Sequence, residues 1–157
     1  MRTNIRAAGI VIKDDAILLI EGKNLDHQYF VFPGGGVEHD ESIEQAIGRE
    51  ISEETSIDVL VGKQVYELEY TQTFRGIDKQ YFYICQYISG LPELGDSPEK
   101  AAMEAGFGFF KPQWIPLHNI KELRLFPFNI RDRLHDDAQK LFNFPIQKIT
   151  VSIEHLQ

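Results

Sequence analysis

The sequence contains one cysteine, Cys85. A single thiol cannot close an intrachain disulfide, and no cysteine-based zinc site can be assembled around it. It lies in an aromatic, strand-like run and reads as a buried thiol. Long apolar runs are also missing. None approaches the roughly 20 residues that span a bilayer, and the N-terminus has no apolar signal-like region, so a cytoplasmic protein without a membrane partner is expected. Positive charge is scarce, with 16 Lys and Arg against 24 Asp and Glu, a net charge of -8. That balance disfavours attraction to a nucleic-acid backbone, and no nucleic-acid partner is expected. Repeats, low-complexity tracts and linkers are absent too. The 157 residues, 43% apolar and 25% charged, suit a single globular domain over 1–157.

What is present concentrates between Phe32 and Ile57, which reads FPGGGVEHDESIEQAIGREISEETSI. A proline and three glycines lead into a helix-forming segment expected to start at Asp40 or Glu41. Gly34, Gly35 and Gly36 permit either a tight turn or a close approach of the main chain to a ligand. On a helix of about 100° per residue, Glu50, Glu53 and Glu54 share one sector, because positions three and four apart lie on one face. Three like charges there repel one another, and the nearby base in sequence is Arg49. One reading is a solvated acidic face. The other is a magnesium site, since that ion takes carboxylate oxygens together with substrate phosphate oxygens. Ile43 and Ile47 occupy the same sector as Glu50 and Glu54, which turns the acids inward, where an unneutralised cluster is costly.

These residues resemble the Nudix box: Gly35, five residues, Glu41, seven residues, then Arg49-Glu50, Ile51, Ser52, Glu53-Glu54, Thr55, Ser56 and the aliphatic Ile57. Ser56 replaces the family glycine. At a left-handed helix end serine costs of order 1 kcal/mol. The resemblance implies an α/β fold, the Nudix-type α/β/α sandwich with a mixed β-sheet, where alternation of elements alone supports only α/β or α+β. It also implies a metal shell of Glu50, Glu53, Glu54 and a backbone carbonyl placed at Gly35. The ion would be Mg2+, with Mn2+ as a substitute. Glu50 and Glu53 are the catalytic candidates, Glu50 orienting or deprotonating the attacking water, while Arg49 would tether Glu41 or a neighbouring acid.

The rest of the chain reads in order as follows. Arg6–Ile12 and Ala16–Ile20 form a hairpin about Asp14-Asp15; Glu21 to Gln28 is a loop; Tyr29–Phe32 is a short strand stopped by Pro33. Asp58–Phe74 is a strand broken at Gly62-Lys63, with Tyr66, Leu68 and Tyr70 alternating inward. Arg75 to Asp78 turns the chain into a second aromatic strand, Lys79–Ser89, whose rings read as core. Gly90–Gly106 is a long polar loop with a helical turn over Glu99–Ala105. The resemblance places one further acid in such a loop, and Glu104 and Glu99 rank above Glu93 for it. Phe107–Trp114 is a strand interrupted by Pro112, and Trp114 to Leu117 is similar to a strand end common after the Nudix catalytic loop. His118–Leu123 forms a short helix, Phe128–Phe142 an amphipathic helix through Ile130, Leu134, Ala138 and Leu141, and Ile149, Val151 and Ile153 a terminal strand or tail.

The implied activity is hydrolysis of a diphosphate linkage in a nucleoside diphosphate derivative: a nucleoside triphosphate, a nucleotide sugar or an ADP-ribose type. The alternative is a Nudix-fold module that binds a nucleotide without cleaving it. A structural calcium site is a third reading, but the sequence lacks the alternating oxygen-ligand loop of an EF-hand. The expected partner is a small nucleotide-type molecule, and a homodimer is compatible with the resemblance. Arg6 and Arg75 are candidate phosphate contacts and Asn129 a candidate base contact, each with a structural or solvated role as its alternative.

Overall fold

Asp14 and Asp15 both take left-handed backbone conformations, φ 52° and 60°, and fold β1 (Arg2–Lys13) back onto β2 (Ala16–Asn24). The computed structural model describes residues 2–25, 27–95, 97–106 and 108–152. Phe107, the expected start of a strand, and Ile153, expected in the last one, lie outside these residues. The stretch Glu21 to Gln28 is not a loop. It carries β2 on to Asn24 and opens β3 (His27–Val31), with Gly22 paired to Tyr29 and Asn24 to His27. An antiparallel ribbon with one wet face tolerates this polar composition.

Pro33 separates β3 from β4 (Gly34–Glu38). The three glycines therefore lie in a strand and make no turn. They pair antiparallel with β1, Ala8 opposite Gly34, Ala7 opposite Gly35 and Arg6 opposite Gly36. None of the three has a positive φ. Glycine supplies room there instead. A Cβ on Gly34 would overlap the Ala7 carbonyl oxygen and stand 2.7 Å from the Ala8 Cα.

Helix α1 (Ile43–Thr55) starts two residues after Glu41, because Ser42 caps it. The Ser42 hydroxyl accepts from the Gln45 amide at 3.0 Å, and the Gln45 side chain accepts from the Ser42 amide at 2.8 Å, a reciprocal capping box. At its other end Ser56 adopts the left-handed conformation, φ 61°. The long loop then closes over that end: the Glu93 amide donates to the Thr55 carbonyl at 2.9 Å and the Gly95 amide to the Glu53 carbonyl at 3.0 Å. These bonds satisfy carbonyls that a helix terminus leaves open. The Ser56 hydroxyl adds a bond to the Glu93 carbonyl at 2.7 Å.

β5 (Asp58–Phe74) runs unbroken through Gly62-Lys63, where a shift of register against β6 (Ile77–Ser89) takes up the irregularity. Only Arg75 and Gly76 form the turn, so β6 begins two residues before Lys79. The remaining elements are α2 (Pro98–Glu104), β7 (Phe109–Pro116), a 3-10 turn over Leu117–Glu122, β8 (Leu125–Phe126), α3 (Phe128–Gln139) and β9 (Gln147–Val151). Pro112 does not interrupt β7. That strand pairs with β2 alone among the described strands, and an edge strand accommodates a residue that lacks an N–H. Helix α3 ends before Leu141, which is 82% exposed, while Phe142 is buried in its place.

The strands run in the order β8-β3-β2-β1-β6-β5-β9, with β4 on β1 and β7 on β2. Parallel and antiparallel pairs both occur, which gives the mixed sheet of an α/β fold. Helix α1 seats Ala46, Ile47 and Ile51 against Ala7, Val11 and Leu18 on one face. Helix α3 seats Ile130 and Leu134 against Leu19, Phe30, Tyr66 and Phe82 on the other. Burial of each aliphatic side chain is worth about 1.5–3 kcal/mol, so Ile47 and Ile51 fix where α1 presents its acids.

Cys85 is buried under α1, and burial pushes its thiol pKa up to about 12. The folded protein should resist iodoacetamide at pH 8 and react stoichiometrically only in denaturant. Rapid labelling of the native protein would contradict this placement. Because the folded value is the raised one, the contribution of this thiol to stability is complete below about pH 9 and is lost as pH climbs toward 12.

Candidate active site

One face of α1 changes from apolar to acidic as it approaches β4. Ile47 and Ile51 are fully buried, and Glu50 and Glu54, on the same side, are each only 7% exposed. Their carboxylates meet the glycine strand. The Gly34 amide donates to Glu54 Oε1 at 2.9 Å. A Cβ on Gly35 would lie 2.5 Å from the Glu50 carboxylate carbon and Oε1, so glycine leaves the space that this carboxylate fills. Glu53 sits on the open rim.

Arg49 binds the group together from the side. Its guanidinium donates to Glu41 Oε1 at 2.6 Å and Oε2 at 3.1 Å, to Glu50 Oε1 at 3.0 Å, to Glu53 Oε2 at 3.4 Å and to the Gly36 carbonyl at 3.3 Å. The hydrogen bond to Glu41 is the main reason that its pKa stands well above the ordinary arginine value. Glu41 Oε1 also accepts from the Glu38 amide at 2.9 Å. Arg49 therefore ties β4, the cap of α1 and two of the acids into one unit.

A second arginine approaches from the other side. Arg6 on β1 keeps some surface toward the cleft and donates to the Phe32 carbonyl at 3.0 Å. Burial of its guanidinium lowers its pKa, opposed by the negative charge of Glu54 and Glu50. Glu54 is pushed up to about 8, chiefly by its own burial; Arg6 pulls it down and Glu50 adds to the rise. A protonated or cation-bound Glu54 suits this pocket better than a bare carboxylate.

The cleft above these groups is lined by Arg6, Gly34, Gly35, Gly36, Glu54, Arg75 and Glu99. Of the residues singled out in the sequence, the fold thus gathers Gly35, Glu50, Glu54, Arg6, Arg75 and Glu99. Glu53 and Glu104 line an adjoining depression with Ser97 and Lys100. Glu93 is exposed and serves by its backbone. Asn129 is not brought to the cleft. It is exposed on the first turn of α3, because burial of Ile130 and Leu134 turns that position to solvent, and its carbonyl accepts from Arg133 Nε at 3.0 Å.

Two features escaped the sequence reading. Arg6 is a half-buried counter-charge to the acids as well as a cleft residue, and its separation along the chain hid this. The apolar wall of the cleft, Ile20, Tyr29, Val31 and Phe110, was also missed; Gly22, opposite Tyr29, was its one signal.

Among the described residues no three His, Cys, Asp or Glu side chains converge as a finished metal cage. In this arrangement Glu50 and Glu53 are directed to Arg49, and Glu54 to the Gly34 amide. The donor set nevertheless fits a hard divalent ion. It consists of carboxylate oxygens beside a backbone strand, with the close approach of Glu50 to Gly35 possible only because that residue has no Cβ.

A mixed sheet between helical layers, with one helix setting carboxylates against a glycine strand, places the chain in the Nudix class of folds. The NUDIX domain model matches residues 3–134, and the chain belongs to that family. A stretch of 50 residues is 50% identical to an ADP-ribose pyrophosphatase of Methanocaldococcus jannaschii, spanning 31% of this chain and 30% of that protein. A NUDIX hydrolase from Nitrosomonas europaea superposes with a TM-score of 0.69 at 21% identity, over 92% of this chain and 93% of that one. An ADP-ribose pyrophosphatase from Streptococcus suis gives 0.66 at 15% identity, over 94% and 98%. Among the described residues no helix is long and apolar enough to cross a membrane.

Proposed function

We propose that the chain, as one domain over 1–157, is a divalent-metal-dependent pyrophosphohydrolase that cleaves the diphosphate linkage of a nucleoside diphosphate derivative. The observation that carries this reading is the burial of Glu50 and Glu54 against Gly34 and Gly35, with Arg6 alongside, at the base of a cleft. The family match supports a pyrophosphohydrolase. The names of the archaeal relative and the streptococcal neighbour put ADP-ribose first among the substrates to test.

Glu50, Glu53, Glu54 and the Gly35 carbonyl would hold the ion, Mg2+ or Mn2+. When bound, such an ion supplies neutralising charge for phosphate oxygens and lowers the pKa of water. The chain's own groups do the rest. Glu50, with Glu53 as the second candidate, accepts the proton of the attacking water at a carboxylate oxygen. Arg49 fixes the orientation of Glu50 and Glu53 from outside the cleft. Arg6 and Arg75 lie where they can take the charge of the diphosphate, and Glu99, near Glu54 and Arg6, is better placed than Glu104 to act as the loop acid.

Purified protein with Mg2+ or Mn2+ should convert ADP-ribose to AMP and ribose 5-phosphate, identified by mass, and EDTA should abolish the reaction. Nucleoside triphosphates and nucleotide sugars belong in the same screen. Binding of these compounds without any monophosphate or pyrophosphate product would overturn the reading in favour of a non-catalytic module.

A further inference from the structure

The β5–β6 hairpin ends in a two-residue turn at the mouth of the cleft. Phe74 pairs with Ile77, and Arg75 and Gly76 between them both have positive φ, 53° and 80°. That combination defines a type I′ turn, whose twist matches the strands it joins. Arg75, Gly76 and Ile77 line the cleft, as do Asn4 and Arg6 on β1. Stacking ties the tip back along β5. The Arg75 guanidinium lies 5.1 Å from the centre of the Phe74 ring, and that ring 5.9 Å from the ring of Tyr70. Tyr70 in turn feels Arg6, whose positive charge opposes the rise that burial gives its phenol pKa. Two rings therefore lie between an arginine at the base of the cleft and an arginine at its rim.

The two cations are not in the same state. Arg6 faces the negative charges of Glu54, Glu50 and Glu99. Arg75 forms no ion pair among the described residues. The acid nearest to it in sequence is Asp78, three residues on, and both oxygens of that carboxylate are taken by neutral donors. The Thr73 hydroxyl donates to Oδ1, and the Asn4 side-chain amide donates to Oδ2 at 3.0 Å. These bonds hold the Asp78 pKa below the ordinary aspartate value. The first crosses the hairpin just behind its turn. The second fastens the hairpin to β1, the strand that carries Arg6.

We propose that Asp78 is a positioning residue: clasped by Thr73 and Asn4, it fixes the hairpin tip over the cleft and leaves the Arg75 charge for the diphosphate of the substrate. The proposal rests on the reading of the cleft as a site for nucleoside diphosphate derivatives. It adds a residue that touches no substrate and sets how firmly one is held. Charge alone predicts the opposite sign, since removing a carboxylate beside an anion site strengthens anion binding through space. Loss of the clasp weakens it, because Arg75 must then be ordered at the moment of binding.

Calorimetric titration with pyrophosphate in Mg2+ reads that sign without turnover. Asp78→Ala should weaken binding about tenfold, the order of one hydrogen bond to a charged group. Asn4→Ala and Thr73→Val, which each remove one of the two bonds, should weaken it about threefold. Asp78→Asn keeps an acceptor oxygen and should fall between wild type and Asp78→Ala. Arg75→Gln should weaken binding at least as much as Asp78→Ala, and combining the two should add less than about twofold, because the clasp acts through that guanidinium. In turnover Asp78→Ala should raise KM about tenfold with kcat within about threefold. Thermal melts check that each variant folds, and the two single-bond variants carry the comparison if Asp78→Ala does not. Unchanged or tighter binding in the clasp variants, effects that multiply in the double variant, or no pyrophosphate binding by the wild type would overturn the proposal. Failure of the functional reading looks different: the wild type and variants would bind pyrophosphate in this order while the wild type hydrolysed no nucleoside diphosphate derivative.

Discussion

Glu54→Gln is expected to cut turnover by at least about a hundredfold while making the metal-free protein more stable above pH 6. The loss follows from removing a charged group preorganised at the reacting centre, which typically costs 10²–10³ in rate. The gain follows from burial. The pKa of Glu54 rises from 4.5 to about 8 in the fold. A raised folded value means that the contribution of this residue is intact below pH 4.5 and drains away as pH approaches 8, where the unfolded chain alone carries the charge comfortably. Glutamine does not titrate, and its amide oxygen can still accept from the Gly34 amide. The stability difference between variant and wild type should therefore widen between pH 5 and pH 8 by an amount on the order of a few kcal/mol. Arg6 keeps its bond to the Phe32 carbonyl and the charge of Glu50 in the exchange. Urea unfolding in EDTA at the two pH values measures this; an equal difference at both would show that Glu54 is not held in a penalising environment.

The acidic sector of α1 was legible because its pattern is local. Helical spacing puts Ile47, Glu50 and Glu54 on one side wherever the helix lands, and the buried isoleucines make that side face inward. Ser56 was legible for the same reason, since the left-handed exit is a property of one residue. The glycines were only half legible. Their permissiveness appears in the sequence, but whether they turn or make room depends on β1, which lies more than 20 residues earlier. Pairing with Ala7 and Ala8 decides the matter. Arg6 shows the same limit more sharply, because only the β1–β4 ladder brings it to α1. The loop Glu21 to Gln28 was misread because polar residues on the wet face of a ribbon look like a turn until the partner strand is known. Leu141 kept helical spacing past the end of its helix, where position no longer follows period.

Gly35→Ala should separate the fold from the site more cleanly than any change of an acid. Gly35 has no positive φ, so alanine fits the strand conformation. Its methyl would nonetheless sit 2.5 Å from Glu50 Oε1 and 2.7 Å from Oε2, closer than real contacts allow. The atoms it meets are the far end of a flexible side chain, so Glu50 swings away and the backbone stays. Its bond to Arg49 at 3.0 Å goes with it. A displacement of about 1 Å at a catalytic group costs roughly a hundredfold in rate, and kcat should fall by that order while the thermal midpoint changes by only a few degrees. Gly34→Ala provides the contrast. There the methyl meets the backbone of Ala7 and Ala8, which cannot move without opening the β1–β4 ladder, and the thermal midpoint should drop sharply. Full activity of Gly35→Ala would show that the position of Glu50 against β4 is not needed for the reaction, and a melting loss equal to that of Gly34→Ala would place the crowding in the backbone instead of the carboxylate.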